Sequence, residues 1–182
     1  GWRSGYFALA ALVLASTPLV ILLKEGPLLS AAPSARGAGG RVLNQPAFWL
    51  LALASAAMVG ASTGLAVHIV PMFSEYGFSL ERAAALAGLM GLVIIAGRLV
   101  TGFLLDHLQP LLVAAGLSLL GAAGYLSVIV FGEAGAPVLA LANGLLLGAE
   151  YDVMSFLAAR YFGLRLYGRV FGLLTSVTAL AA

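Results

Sequence analysis

Long apolar stretches broken by short polar ones run through this chain from end to end. Six can be marked: Tyr6 to Leu23, Ala47 to about Met72, about Ala83 to Leu105, Leu111 to Phe131, Val138 to about Phe162, and one beginning near Val170. A helix of about 20 apolar residues crosses a hydrocarbon core of ~30 Å, and five of the stretches are of that order. None alternates apolar and polar residues in the short segments that a membrane β-barrel requires. The pattern predicts an all-α membrane protein, a polytopic bundle of transmembrane helices. Pro18, inside the first stretch, predicts a kink, because a proline there removes one backbone hydrogen bond. Pro110 predicts a turn before the fourth.

The connections are short except for one. Lys24 to Pro46 holds Ala-Ala-Pro-Ser-Ala-Arg-Gly-Ala-Gly-Gly and reads as a flexible linker. It divides the chain into a first helix (1–24), a linker (25–46) and a larger transmembrane unit (47–182). The chain starts at Gly1 and stops at Ala182 within an apolar run too short to span, so it reads as a piece of a longer protein. The first stretch has neither a basic leader nor a small-residue cleavage site, which sets it apart from a signal peptide.

Composition narrows the picture. The chain is 62% hydrophobic and 9% charged, with a mean hydropathy of +1.08. Soluble domains carry about 25% charged residues, so water is excluded as the main solvent. There is no cysteine, which removes disulfides and thiolate metal sites. A net charge of +2, with the basic residues dispersed, gives no nucleic-acid-binding patch.

The basic residues orient the bundle, since cytoplasmic loops carry an excess of Lys and Arg. Lys24, Arg36 and Arg41 flank the long linker, and Arg160, Arg165 and Arg169 flank the fifth connection. Only Arg3 and Arg82 lie on the opposite side. Six against two puts the linker in the cytoplasm, and with it Asp106 and His107.

Few polar groups interrupt the apolar stretches, and each can be weighed. Arg98 lies eight residues before Asp106, or ~12 Å along a helix, near the middle of a membrane core. A charge at that depth costs ~3 kcal/mol on insertion scales and usually lines a pathway. Its guanidinium suits a carboxylate. Arg98 therefore reads as a binding group for an anionic substrate, with a structural pair to an acid on a neighbouring helix as the alternative. Glu150 and Asp152 lie at a similar depth in the fifth stretch. Two residues apart they point to different helix faces, so both cannot serve one partner. Each is a candidate to carry a coupling proton, or half of a buried structural pair. His68, near the end of the second stretch, could bind substrate or sense pH, or simply be hydrogen-bonded in place. Asn143 and Tyr151 are polar handles for a cavity. Ser62, Thr63 and Ser155 can bond the preceding helical turn and carry little information.

Neither His-Glu-x-x-His, Gly-x-Ser-x-Gly nor a phosphate-binding glycine loop appears. The two histidines lie in separate stretches, without an acidic cluster. No enzyme, metal or cofactor is implied. Gly60-x-x-x-Gly64, Gly88 and Gly91 are expected to allow close helix packing.

Gly102-x-x-x-Asp106, in a loop of cytoplasmic sign, resembles the core of the motif that follows the second helix of each half in the major facilitator superfamily. His107 stands where a basic residue is usual, and Leu108-Gln109-Pro110 replaces the rest of the motif. The resemblance implies helices six to eleven of a twelve-helix fold, with Tyr6–Leu23 closing the first half and helix eleven cut short. Within the superfamily the chain is similar to the monocarboxylate-transporter and oxalate/formate-antiporter branch. The likeness rests on His68-x-x-Pro71, Gly97-Arg98-x-x-x-Gly102 and Gly148-Ala-Glu-Tyr-Asp152, which leads to Arg160-Tyr-Phe-Gly163-x-Arg165. It implies a secondary transporter of the inner (plasma) membrane of a bacterium, moving a small organic anion by symport or antiport. Arg98, His68, Asn143 and Tyr151 would bind the substrate. Glu150 or Asp152 would carry the proton, because Ile94 stands where animal members place an aspartate. Gly102, Asp106, Arg160 and Arg165 would form a conformational latch. The partners implied are the bilayer, the anion and protons. A drug or metabolite exporter with a non-anionic substrate is the first competing reading, and a non-transporting membrane scaffold the second.

Overall fold

A computed structural model describes residues 2–21 and 42–182, and every regular element among them is helical. Six α-helices follow one another: α1 (Trp2–Ile21), α2 (Pro46–Glu75), α3 (Leu80–His107), α4 (Pro110–Phe131), α5 (Ala136–Phe162) and α6 (Leu164–Ala181). The apolar stretches of the sequence form the cores of these helices, and α2 and α3 run a few residues further into their polar flanks. Lys24, Arg36, Arg41 and most of the linker lie outside the described residues.

The connections show why the helices stop where they do. Gly77, at φ +86°, turns the chain after α2, a conformation that a residue with a Cβ rarely adopts. Two residues on, the Ser79 hydroxyl caps α3 by accepting from the Arg82 backbone N–H at 3.3 Å. Prolines open α2 and α4 at the first helical position, where no backbone donor is missed. A 3₁₀ turn, Gly132–Gly135, is all that separates α4 from α5. Gly163, at φ +75°, ends α5, and α6 restarts at once at Leu164. The sequence set that restart near Val170, because Arg165 and Arg169 conceal the helix from a reading based on apolar runs.

α5 is the hub, packed against α2, α3, α4 and α6. Glycines make its crossing with α3 close. A Cβ on Gly97 would stand 3.2 Å from the Leu145 Cα, and one on Gly144 2.8 Å from the Met90 carbonyl oxygen. One on Gly148 would run into the Ile94 carbonyl. Small residues thus bring the two backbones together, as helices in lipid commonly do.

Two apolar clusters fill the bundle. One gathers Phe48, Leu51, Leu157, Phe162 and Leu174 towards the end where α2 begins. The other gathers Leu65, Ile69, Phe73, Tyr125 and Leu139 towards the end where α2 finishes. α1 lies against α4 and α2 and buries Ala10 and Val13 in the second cluster.

Candidate functional site

Arg98 stands nine residues before the end of α3, ~14 Å along the helix. The buried residues of α3 are Ala83, Met90, Gly97, Thr101 and Leu105, a single stripe turned towards α5. A second stripe, Leu89, Leu92, Ala96, Leu99 and Phe103, is bulky, apolar and exposed; Leu99 is 73% exposed. Between the two runs a third, spaced by threes and fours: Ala84, Gly88, Gly91, Ile95, Arg98, Gly102 and Asp106. Nothing lies within 4 Å of the Cβ positions at Gly88, Gly91 or Gly102, so this third face is open. Arg98 is exposed on it, with neither a hydrogen-bond nor an ion-pair partner among the described residues. Its backbone N–H, by contrast, is pressed against Gly148 of α5: a Cβ there would come within 3.2 Å. The anchor point is fixed and the guanidinium is free.

Between the two apolar clusters runs a buried chain of polar groups. The Tyr125 hydroxyl on α4 donates to Asn143 Oδ1 on α5 at 3.0 Å. Asn143 Nδ2 donates to the backbone carbonyl of Ser62 on α2 at 3.2 Å and approaches Met90 Sδ on α3 at 3.5 Å. The Ser62 hydroxyl then meets Glu150 Oε2 at 2.5 Å and the Val59 carbonyl at 3.1 Å. Tyr125, Asn143, Ser62 and Glu150 are all buried. Buried polar groups are costly unless satisfied, and here four helices satisfy one another.

Two sequence-based expectations take a different form in the structure. Asn143 uses both ends of its amide inside the bundle, so it does not open onto the face that carries Arg98. Ser62 does bond its preceding turn, as expected of a helical serine, yet the same hydroxyl also holds Glu150. Tyr125 was not anticipated at all; a tyrosine in an apolar run signals nothing until its hydroxyl is seen to point inward.

Glu150 and Asp152 do face different ways. Glu150 turns to α2, whereas Asp152 is half-buried and its carboxylate has no partner among the described residues. Asp152 lies one turn beyond Gly148, and Tyr151 just before it, at the depth of Arg98; Tyr151 packs at the edge of the first cluster. Arg98 and Asp152 are not paired with each other.

His68 lies elsewhere. It is exposed near the far end of α2 and lines a cavity of about 260 Å³ with Gly5, Leu9, Pro71 and Glu75, between α1 and α2. At the other end of α3, Asp106 is exposed without an ion-pair partner among the described residues. The structure thus does not join it to Arg160 or Arg165, both of which make other contacts. His107 Nδ1 is 2.8 Å from the Phe103 carbonyl, and its ring stacks on Phe103. No three His, Asp or Glu side chains gather as a metal site among the described residues.

A helical bundle with a mid-helix arginine on an open face narrows the field, and comparison with protein families decides it. The family model described as Major Facilitator Superfamily matches residues 1–182. The chain belongs to the major facilitator superfamily. It is accordingly an integral membrane protein of a transporter family. Among the described residues, three helical stretches are long and apolar enough to cross a bilayer: Pro46–Glu75, Leu80–His107 and Pro110–Phe162, the last containing both α4 and α5. No curated protein and no solved structure matches the chain. Membership thus fixes the class of activity, transport, and not the substrate.

Proposed function

We propose that this superfamily member carries a small organic anion, of the monocarboxylate kind, across the membrane by alternating access. Arg98 grips the carboxylate, and Glu150 or Asp152 carries a coupling proton. The observation that carries the reading is the unpaired guanidinium of Arg98, on an open, glycine-lined face in the middle of a transmembrane helix. Lipid is a poor environment for that group, at ~3 kcal/mol or more for a central arginine. The bulky apolar stripe of α3 is the natural lipid surface, and its midline lies ~140° around the helix from Arg98. The arginine face then meets a hydrated space, where a guanidinium is available for bidentate binding of a carboxylate.

Tyr151 and Asp152 lie at the same depth on the adjoining helix and can bring a hydroxyl and an acid to the same space. His68, in its separate cavity between α1 and α2, is a contact along the approach to the site. Asn143 acts as a brace behind it.

The test is uptake into proteoliposomes by the complete protein, with radiolabelled lactate, pyruvate, formate and oxalate, each with and without a pH gradient. Arg98→Lys keeps the charge and loses the planar fork. It is expected to abolish anion uptake while the protein still inserts in the membrane. Undiminished uptake by that variant removes the anchor role. Uptake of a neutral or cationic compound that ignores the variant establishes the exporter reading instead.

A further inference from the structure

We infer that Ser62 is a two-way hydrogen-bond partner that serves Glu150 in both of its proton states and ties that state to the α2–α5 contact; this rests on Glu150 being the proton carrier. The argument is one of counting. A serine hydroxyl has a single proton to give and two lone pairs to receive with. At Ser62 it stands between two oxygens, Glu150 Oε2 at 2.5 Å and the Val59 carbonyl at 3.1 Å, and it cannot donate to both.

With Glu150 ionised, the hydroxyl donates to Oε2, and the Val59 carbonyl keeps only its place in the helix. When a proton from water binds Oε2, the carboxyl O–H becomes the donor. Ser62 then accepts it, and its own proton swings to the Val59 carbonyl. One proton is gained, no covalent bond of the chain changes, and neither state leaves the hydroxyl or Oε2 bare. An unsatisfied buried polar group is costly, so a site lacking such a partner would oppose one state or the other. The rest of the polar chain keeps the hydroxyl in place: Asn143 holds the Ser62 carbonyl, and Tyr125 holds Asn143.

The charged and titratable groups around Glu150 are few. Arg98 is on α3, beside Gly148. Tyr125 is on α4, reached through Asn143. Asp152 and Tyr151 are on α5 itself, with Arg160 further along. On α2 the nearest is His68, six residues beyond Ser62. On α6 there are Arg165, Tyr167 and Arg169 near its start. None of them is bonded to the Glu150 carboxylate, so Ser62 is the group through which its proton state is felt.

Infrared difference spectroscopy on the complete protein in lipid, between acid and alkaline pH, reads the carboxyl C=O stretch directly and needs no substrate. The band assigned to Glu150 by its loss in Glu150→Gln is expected to move to higher frequency in Ser62→Ala. In Ser62→Thr, which restores a hydroxyl at the same place, it should return towards its original position. A helix brace with no part in the proton state would leave the band unmoved by either change. An unmoved band in Ser62→Ala, or a Ser62→Thr band that sits with Ser62→Ala, overturns the inference. A difference spectrum unaltered by Glu150→Gln overturns the proton-carrier reading beneath it, and that result is separate from both.

Discussion

At the scale of single residues, one hydroxyl or amide at a time ties α4, α5 and α2 together along the buried polar chain. Replacing Tyr125 with Phe removes the hydroxyl that Asn143 Oδ1 accepts. Interhelical hydrogen bonds in membrane bundles contribute ~0.6 kcal/mol on average, so a loss of that order is expected in the thermal unfolding of the complete protein. Asn143→Leu should cost more, ~1–3 kcal/mol, because it removes the acceptor that the Tyr125 hydroxyl uses and the donor to the Ser62 carbonyl together. An equal cost for the two variants would mean that the amide does not act as a bridge. The sequence could reveal Asn143 as a polar residue in an apolar helix but not what it touches. Its partner on α2 lies 81 residues away, and Ser62 lies 88 from Glu150. Arg98 was legible because its cost is local, a charge where only apolar residues belong. The partnerships were not legible, because they arise from how helices dock.

At the scale of helices, the same distinction runs through the glycines. Gly88 and Gly91 looked like packing residues, yet both are open, because α3 turns a different stripe to α5. Where α3 crosses α5 the close approaches are at Gly97, Gly144 and Gly148, and of the glycines expected to pack, Gly60 does so, against Ala181 of α6. Helix existence followed from apolar length, while the choice of packed face depends on the neighbour and could not be read one helix at a time. Gly148→Ala should therefore be costly, with its methyl driven against the Ile94 carbonyl and close to the Arg98 backbone. Overpacking of this kind typically costs ~1–3 kcal/mol. Gly88→Ala, into open space, should change thermal unfolding little and is the internal control. Because the strained contact is the turn that bears Arg98, Gly148→Ala is also expected to weaken anion uptake more than its loss of stability explains. Equal thermal unfolding of the two variants would show that the α3–α5 crossing has room to spare.

At the scale of the whole molecule, the question is what Asp106 does at the end of α3. It is exposed and unpaired among the described residues, while Arg160 and Arg165, near the end of α5 and the start of α6, are engaged elsewhere. A pairing absent from one arrangement can still bias an equilibrium, provided that it forms in the other. A group can shift a two-state balance only by the difference in its interactions between the two states. An exposed ion pair contributes ~0.2–1 kcal/mol, and the upper figure corresponds to a change of about fivefold in the ratio of inward-open to outward-open molecules. Asp106→Asn removes the charge and keeps the shape. In the complete protein, single cysteines placed on the Arg98 face of α3 should then change their labelling rates from the two sides of the membrane in opposite directions, by no more than that factor. Opposite changes are the decisive feature, since a general loosening of the bundle would raise both rates. Identical labelling with and without the Asp106→Asn change would mean that the acid is a solvated group on the last turn of α3 without part in access, and Gly102-x-x-x-Asp106 would then be ordinary helix and not a latch.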